Sequence, residues 1–251
     1  MFEKVDVLGA QISNATISEI VAAVISRIKN GENTVVYTPN SEIIEQFRKD
    51  ETLMNLLNSA DILTADGIGV VKGAKMLGTP IKERAAGYDI ACKLLEEGAK
   101  EGLSFYLFGS KEEVCRLAKD NLLKKYPGIQ IAGTQNGFFK EPVGEKIASQ
   151  KPQVVFVCLG AKKQEQWIYD NKHLFSGTAF LGIGGSMDVF AGVVKRAPDI
   201  FIKLHLEWFY RLCKQPSRFV RMLALPRFLW QIMLEKRRRK RLFKQNKRKG
   251  A

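Results

Sequence analysis

Apolar positions along the chain follow two patterns. Short, nearly continuous runs of aliphatic, β-branched and aromatic residues at 5–8, 34–37, 62–65, 103–108, 129–132, 154–159 and 178–181 read as strands. Between them, apolar residues recur three and four apart, which is the helical spacing. Ile20, Val21, Val24, Ile25 and Ile28 form one such stripe. Thr16 and Glu19 open it as a capping box, and Asn30-Gly31 closes it. Further helices are expected over 41–49, 52–58, 68–77, 88–100 and 162–169. Ser110 and Glu113 read as a second capping box at the head of another. Repeated strand–helix alternation predicts an α/β fold: a Rossmann-like, mostly parallel sheet with helices on both faces.

After Pro198 the pattern changes. Residues 201–212 are rich in large apolar side chains, and Pro216 and Pro226 divide the remainder of the chain into short helices. Arg211, Lys214, Arg218 and Arg221 stand 3, 4 and 3 apart, one cationic face if a single helix carries them. Phe228–Leu234 then runs into the basic block Lys236–Arg241. The chain therefore divides into an α/β catalytic body, 1–194, and a helical, basic appendage, 195–251.

Charge sharpens that division. Of the formal net charge of +14, the appendage alone supplies 18 Lys and Arg against Asp199, Glu207 and Glu235, so the body is close to neutral. Such asymmetry points to an anionic partner, a membrane surface or a nucleic acid. An aromatic and aliphatic block beside a basic one suits a helix lying in a membrane interface, and no nucleic-acid partner is expected. The N-terminus lacks a signal-peptide pattern, and no apolar run reaches the roughly 18 residues of a membrane span. The expected location is the cytoplasmic face of the membrane, as a peripheral protein. Four scattered cysteines, Cys92, Cys115, Cys158 and Cys213, fit a reducing compartment rather than a zinc site or disulfide framework.

Candidate chemistry lies at strand ends, where ligands bind in open parallel sheets. Asp66-Gly67 follows the 62–65 run and places a carboxylate at such an end. Asp66 reads as a general base or as a turn or helix-cap aspartate. Thr38 and Asn40 follow the 34–37 run, to orient a sugar hydroxyl or to cap the next helix. Gly109-Ser110 opens a helix, either a phosphate cradle or an ordinary strand-to-helix turn. Gln135-Asn136-Gly137 is a turn, and Gly182-Ile-Gly184-Gly185 offers close backbone approach to a ligand. Neither G-x-G-x-x-G nor a P-loop is present, and no two aspartates are separated by one residue, so a D-x-D metal clamp is missing. No metal and no cofactor is expected; Arg84 or an appendage arginine would meet a leaving diphosphate, although Arg84 reads equally as a surface loop charge.

Motifs along nearly the whole chain resemble one family. They are Thr38-Pro-Asn-Ser-Glu-Ile, Ser59-Ala-Asp-Ile-Leu-Thr-Ala-Asp66-Gly-Ile-Gly, Glu83-Arg84-Ala-Ala-Gly87, Leu159-Gly-Ala-Lys-Lys163-Gln-Glu-Gln166-Trp, Gly182-Ile-Gly-Gly-Ser186-Met-Asp188-Val-Phe-Ala-Gly192-Val-Val-Lys-Arg196 and Leu206-Glu-Trp-Phe-Tyr-Arg211-Leu. Together they resemble the WecG/TagA/CpsF glycosyltransferases. The resemblance implies an inverting, metal-independent transferase with Asp66 as base and Thr38 and Arg84 in its pocket. Beside the resemblance, substrate contacts are expected at Asn40, Gly109, Gln135, Gly137, Gly185 and Asp188, and the basic appendage is expected to meet the lipid diphosphate through Arg211, Arg218 or Arg221. The resemblance also implies a donor or acceptor contact at Gln166. Its implied donor is UDP-N-acetylmannosamine or the corresponding uronic acid, and its acceptor a polyprenyl-diphosphate-linked N-acetylglucosamine. Where the family often has His-Gly-aromatic, this chain has Asn136-Gly137-Phe138. Homo-oligomerisation is left open.

Overall fold

The computed structural model describes residues 2–204, 206–214, 219 and 223–249. An antiparallel hairpin, β1 (Lys4–Val7) and β2 (Ala10–Ser13), precedes α1 (Ile17–Lys29). Then come β3 (Thr34–Tyr37), α2 (Ser41–Phe47), α3 (Glu51–Asn58), β4 (Ile62–Leu63), α4 (Ile68–Leu77), α5 (Gly87–Lys100), β5 (Ser104–Gly109) and α6 (Glu112–Lys125). The body ends with β6 (Gln130–Gln135), α7 (Gly144–Ala148), β7 (Val154–Cys158), α8 (Lys163–Asn171), β8 (Ala179–Gly182) and α9 (Ser186–Phe190). Beyond it lie α10 (Asp199–Lys203), α11 (Glu207–Lys214) and α12 (Ala224–Lys249).

Six strands form one parallel sheet in the order β4-β3-β8-β7-β5-β6. The chain lays β3 and β4 toward one edge, restarts with β5 and β6 at the other, and fills the centre with β7 and β8. Because side chains alternate across a strand, each strand feeds two cores. Val36, Phe105, Leu107, Val154 and Phe156 pack under α1, α5 and α6. Val35, Tyr37, Tyr106, Phe108, Val155 and Val157 pack with the hairpin, α2, α4 and α8 on the other face.

Helix α12 joins that second core. Phe228 and Ile232, one turn apart, are fully buried. They fit because α4 carries glycines four apart: a Cβ at Gly73 would come within 3.0 Å of Phe228 and 3.1 Å of Ile232, and one at Gly69 within 2.8 Å of Leu225. Arg239 pairs with Asp6 of β1 and Glu235. The apolar block expected to lie in a membrane interface is therefore divided: Phe228 and Ile232 face the body, while Trp230, Met233 and Leu234 are exposed. Instead of a short helix after Pro226, the structure has one of 26 residues. Among the described residues no helix is long and apolar enough to cross a membrane.

Candidate active site

Strands β4, β3 and β8 are in register at their carboxyl ends, with Tyr37 opposite Leu63 and Gly182. The residues just beyond these ends therefore emerge side by side. Thr38 is almost fully buried, and its hydroxyl donates to the Gly182 carbonyl at 2.8 Å. With its proton committed there, its lone pairs face any further donor, such as a sugar hydroxyl. The Asp66 N–H donates to the Pro39 carbonyl at 3.1 Å, and Asp66 Oδ2 accepts from the Gly87 N–H at 3.2 Å. Gly87 is the first residue of α5, so the positive end of that helix bears on the carboxylate. A Cβ at Gly87 would sit 2.7 Å from Thr38 Oγ1; only glycine lets α5 approach this far. Asn40 Oδ1 accepts from the Ile43 N–H at 3.0 Å and so caps α2.

Arg84 is brought to the same place by its loop. The Thr64 hydroxyl donates to the Ala85 carbonyl at 2.9 Å, and the Ala85 N–H donates to the Ala65 carbonyl at 3.1 Å. The Arg84 side chain is 14% exposed, and its guanidinium pairs at 3.3 Å with both Asp89 and Glu207.

At the ends of β5, β6, β7 and β8 the groups that gather are mainly backbone. Gly109 has φ of +126°, and a Cβ there would lie 2.3 Å from the Cys158 carbonyl oxygen. Ser110 is left-handed at +56°, and its hydroxyl donates to Asp188 Oδ1 at 2.9 Å. This overturns the capping box expected at Ser110: Lys111 precedes α6 and makes no side-chain cap. The Gly137 N–H donates to the Ser110 carbonyl at 2.8 Å. Gln135, expected in a turn, ends β6, and its Oε1 accepts from Lys146 Nζ at 2.9 Å. Asn136 bonds Glu112 at 2.7 Å and turns the chain beneath the exposed Phe138. Gly185 is exposed immediately before α9.

Helix α8 separates two neighbouring glutamines. Gln166 is exposed and bonds Asp170 at 2.8 Å, away from the other site residues. Gln164, two residues earlier and on the opposite side, is buried; its Oε1 accepts from the Gly184 N–H at 3.1 Å and its Nε2 donates to Glu165 at 2.8 Å. Glu165 also accepts from the Lys162 N–H at 2.7 Å. Burial pushes the Glu165 carboxyl above its ordinary range. Gln164 thereby ties the glycine turn after β8 to α8. Its signal in the sequence was present but ambiguous, since two glutamines flank one glutamate. Arg211 lies on α11, whereas Arg218 and Arg221 fall outside the described residues.

The crevice is an assembly of strand-end groups suited to a polar, anionic ligand and a proton transfer. The family model of the "Glycosyl transferase WecG/TagA/CpsF family" matches residues 5–242, from the hairpin through most of α12. The chain belongs to this family. A relative from Bacillus spizizenii named "N-acetylglucosaminyldiphosphoundecaprenol N-acetyl-beta-D-mannosaminyltransferase" is 37% identical over 212 residues, 84% of this chain and 82% of its own length. Relatives under the same name from Bacillus subtilis, 37% identical over 211 residues (83% of this chain and 82% of theirs), and Staphylococcus aureus strain MW2, 34% identical over 243 residues (95% of each), agree. As a WecG/TagA/CpsF glycosyltransferase, the chain carries both halves of the crevice and all the described appendage helices up to residue 242 within the matched region.

Proposed function

We propose that this glycosyltransferase moves N-acetylmannosamine from UDP-N-acetylmannosamine to N-acetylglucosaminyl-diphospho-undecaprenol, in wall teichoic acid or related surface polysaccharide synthesis. The single observation that carries the reading is Asp66: a carboxylate at a strand end, held by the Gly87 N–H and adjacent to the buried Thr38 hydroxyl. The shared name of the relatives supports the substrates. In a single displacement the acceptor hydroxyl attacks the anomeric carbon as Asp66 takes its proton, and the bond from that carbon to the donor phosphate breaks. UDP departs from the opposite face, so an α-linked donor gives a β linkage, and attack by the acceptor's 4-hydroxyl makes it β1,4. Arg84 neutralises the charge that develops on the leaving diphosphate, without a metal. Thr38 and Asn40 orient sugar hydroxyls, and the glycine turns at Gly109, Gly137 and Gly185, with Gln135 and Asp188, contact substrate; Gln166, turned toward Asp170, is left out of the site.

The basic appendage brings this crevice to the cytoplasmic face of the membrane, where the acceptor resides. Each basic residue near an anionic leaflet contributes about 1 kcal/mol, less when they crowd. Arg211, Arg218 or Arg221 meets the lipid diphosphate there.

The test is UDP release from a donor panel with a short-chain lipid-linked acceptor. UDP-N-acetylmannosamine should be the preferred donor, with activity surviving EDTA. Preference for the uronic acid would assign a different sugar. No release from any donor, with salt-sensitive binding to a nucleic-acid duplex, would overturn the transferase reading. Because Phe228 and Ile232 are core residues, docking is tested by Lys/Arg→Gln changes at 236–238, 240 and 241 rather than by truncation. Undiminished co-sedimentation with anionic vesicles would refute the docking role.

A further inference from the structure

The first turn of α5 does more than hold Asp66. Gly87 donates its N–H to the base, Tyr88 lies under the Arg196 guanidinium at 4.7 Å from ring centroid to Cζ, and Asp89 takes Arg84 on one oxygen and Arg196 on the other. The turn is rigidly seated: Ile90, Ala91 and Leu94, directly after it, are fully buried, and Tyr88 stacks on Phe190 at 5.1 Å. Two arginines distant in sequence are thus gathered beside the base by one aspartate.

A fourth group completes the cluster. Glu207 of α11 reaches Arg84 from beyond the body. Asp89 occupies both arginines and Glu207 occupies Arg84, so an anion reaches Arg84 by displacing a carboxylate. The geometry indicates which one. Arg84 donates to Asp89 and Glu207 through the same nitrogen, Nη2, at 3.3 Å each. Arginine–carboxylate pairs are frequently made with two nitrogens in a fork. Arg48 does so on Glu45, at 2.6 and 3.2 Å, and Arg238 does so on Glu235, at 2.8 and 3.1 Å. The fork of Arg84 is not engaged by its carboxylates.

We propose that Arg196 is a second contact for the substrate diphosphate, that Asp89 positions it beside Arg84, and that the Glu207 carboxylate stands where a phosphate oxygen binds. The inference rests on the reading that Arg84 meets a diphosphate. Substrate arrival exchanges the Glu207 carboxylate on Arg84 for a phosphate oxygen. Both substrates carry a diphosphate, so the experiment keeps them apart.

In the full-length protein, calorimetric titrations with UDP and with a short-chain polyprenyl diphosphate report the two sources separately. Arg196→Gln should weaken one of them about tenfold, the loss of one charge-assisted contact, and Arg196→Lys should recover part of it. Asp89→Asn removes a negative charge as Glu207→Gln does, yet it should weaken the same ligand because Arg196 loses its placement; tighter binding there would overturn the positioning role. Glu207→Gln should tighten that ligand severalfold. If Glu207→Gln fails to fold, Glu207→Asp, which withdraws the carboxylate by one methylene, should tighten it too. Unchanged or weaker binding in the Glu207 variant that folds makes Glu207 a plain fastening and overturns the exchange. Unchanged binding of both ligands in Arg196→Gln overturns the second contact. Arg84→Gln separates the two levels: weakened binding there alone sinks only this inference, whereas no effect there sinks the diphosphate reading itself.

Discussion

At the ends of β3, β4 and β8, side chains meet: Asp66, Thr38 and Arg84 converge on the first turn of α5. At the ends of β5 and β7, and in the turns after them, it is backbone that meets: Gly109, Ser110, Gly160 and Lys162 all take positive φ. One half offers a proton acceptor, a hydroxyl and a cation, the groups a bond-making step requires. The other offers close approach to backbone whose Ser110, Gly137 and Lys162 N–H groups are already bonded within the fold, and in our proposal it gives a phosphorylated ligand room rather than chemistry. Damage to Asp66 or Thr38 in the first half should slow turnover with binding kept, and damage to the second should lose binding together with stability.

The comparison can be broken at several points. The largest effect is expected from Gly109→Ala, which puts a Cβ at a positive φ and 2.3 Å from the Cys158 carbonyl oxygen. A loss of about 3 kcal/mol in denaturant unfolding is expected, accompanied by weakened UDP binding. Retained stability would mean that the turn has room to shift and that the backbone half is not rigid. Next is Thr38→Val, nearly the same shape without the hydroxyl. A fall in kcat of about tenfold is expected, with UDP affinity within twofold of wild type. An equal fall in affinity would place Thr38 in the binding half instead.

The smallest effect concerns Glu165, which braces the Lys162 turn against Gln164. Burial raises its carboxyl above its ordinary value near 4.5. A group whose pKa is raised on folding contributes stability that is complete below its unfolded pKa and is lost as pH rises through its folded one. Relative to Glu165→Gln, the wild-type thermal midpoint should therefore decline as pH climbs from about 4 through the raised folded value. A difference between the two proteins that stays constant across that range would show that the brace carries no proton linkage.

The same contrast explains what the sequence disclosed. Strand-end carboxylates and hydroxyls are legible because a buried apolar run stops at a turn signal: Thr38 and Asp66 were located this way, although β4 itself is only two residues long. Backbone-built features are not legible in that manner. Ser110 and Glu113 have the spacing of a capping box, yet the Gly109 turn throws Ser110 into the left-handed region, where its hydroxyl finds Asp188. The choice between Gln164 and Gln166 depends on helix phase, which Trp167 and Ile168 fix by packing into the core. Gly69 and Gly73 carried the sign that α4 receives another helix, but a four-residue glycine spacing does not say which one. The burial of Phe228 and Ile232 supplies that answer.

The central claim is that Asp66 removes the acceptor's proton. It is tested most directly by Asp66→Asn in the full-length protein, with UDP affinity and turnover measured on one preparation. The amide keeps the shape and an oxygen for the Gly87 N–H, so UDP binding should stay within about twofold while kcat falls by about 10² to 10⁴. Turnover within tenfold of wild type, in protein that still binds UDP, would contradict the account.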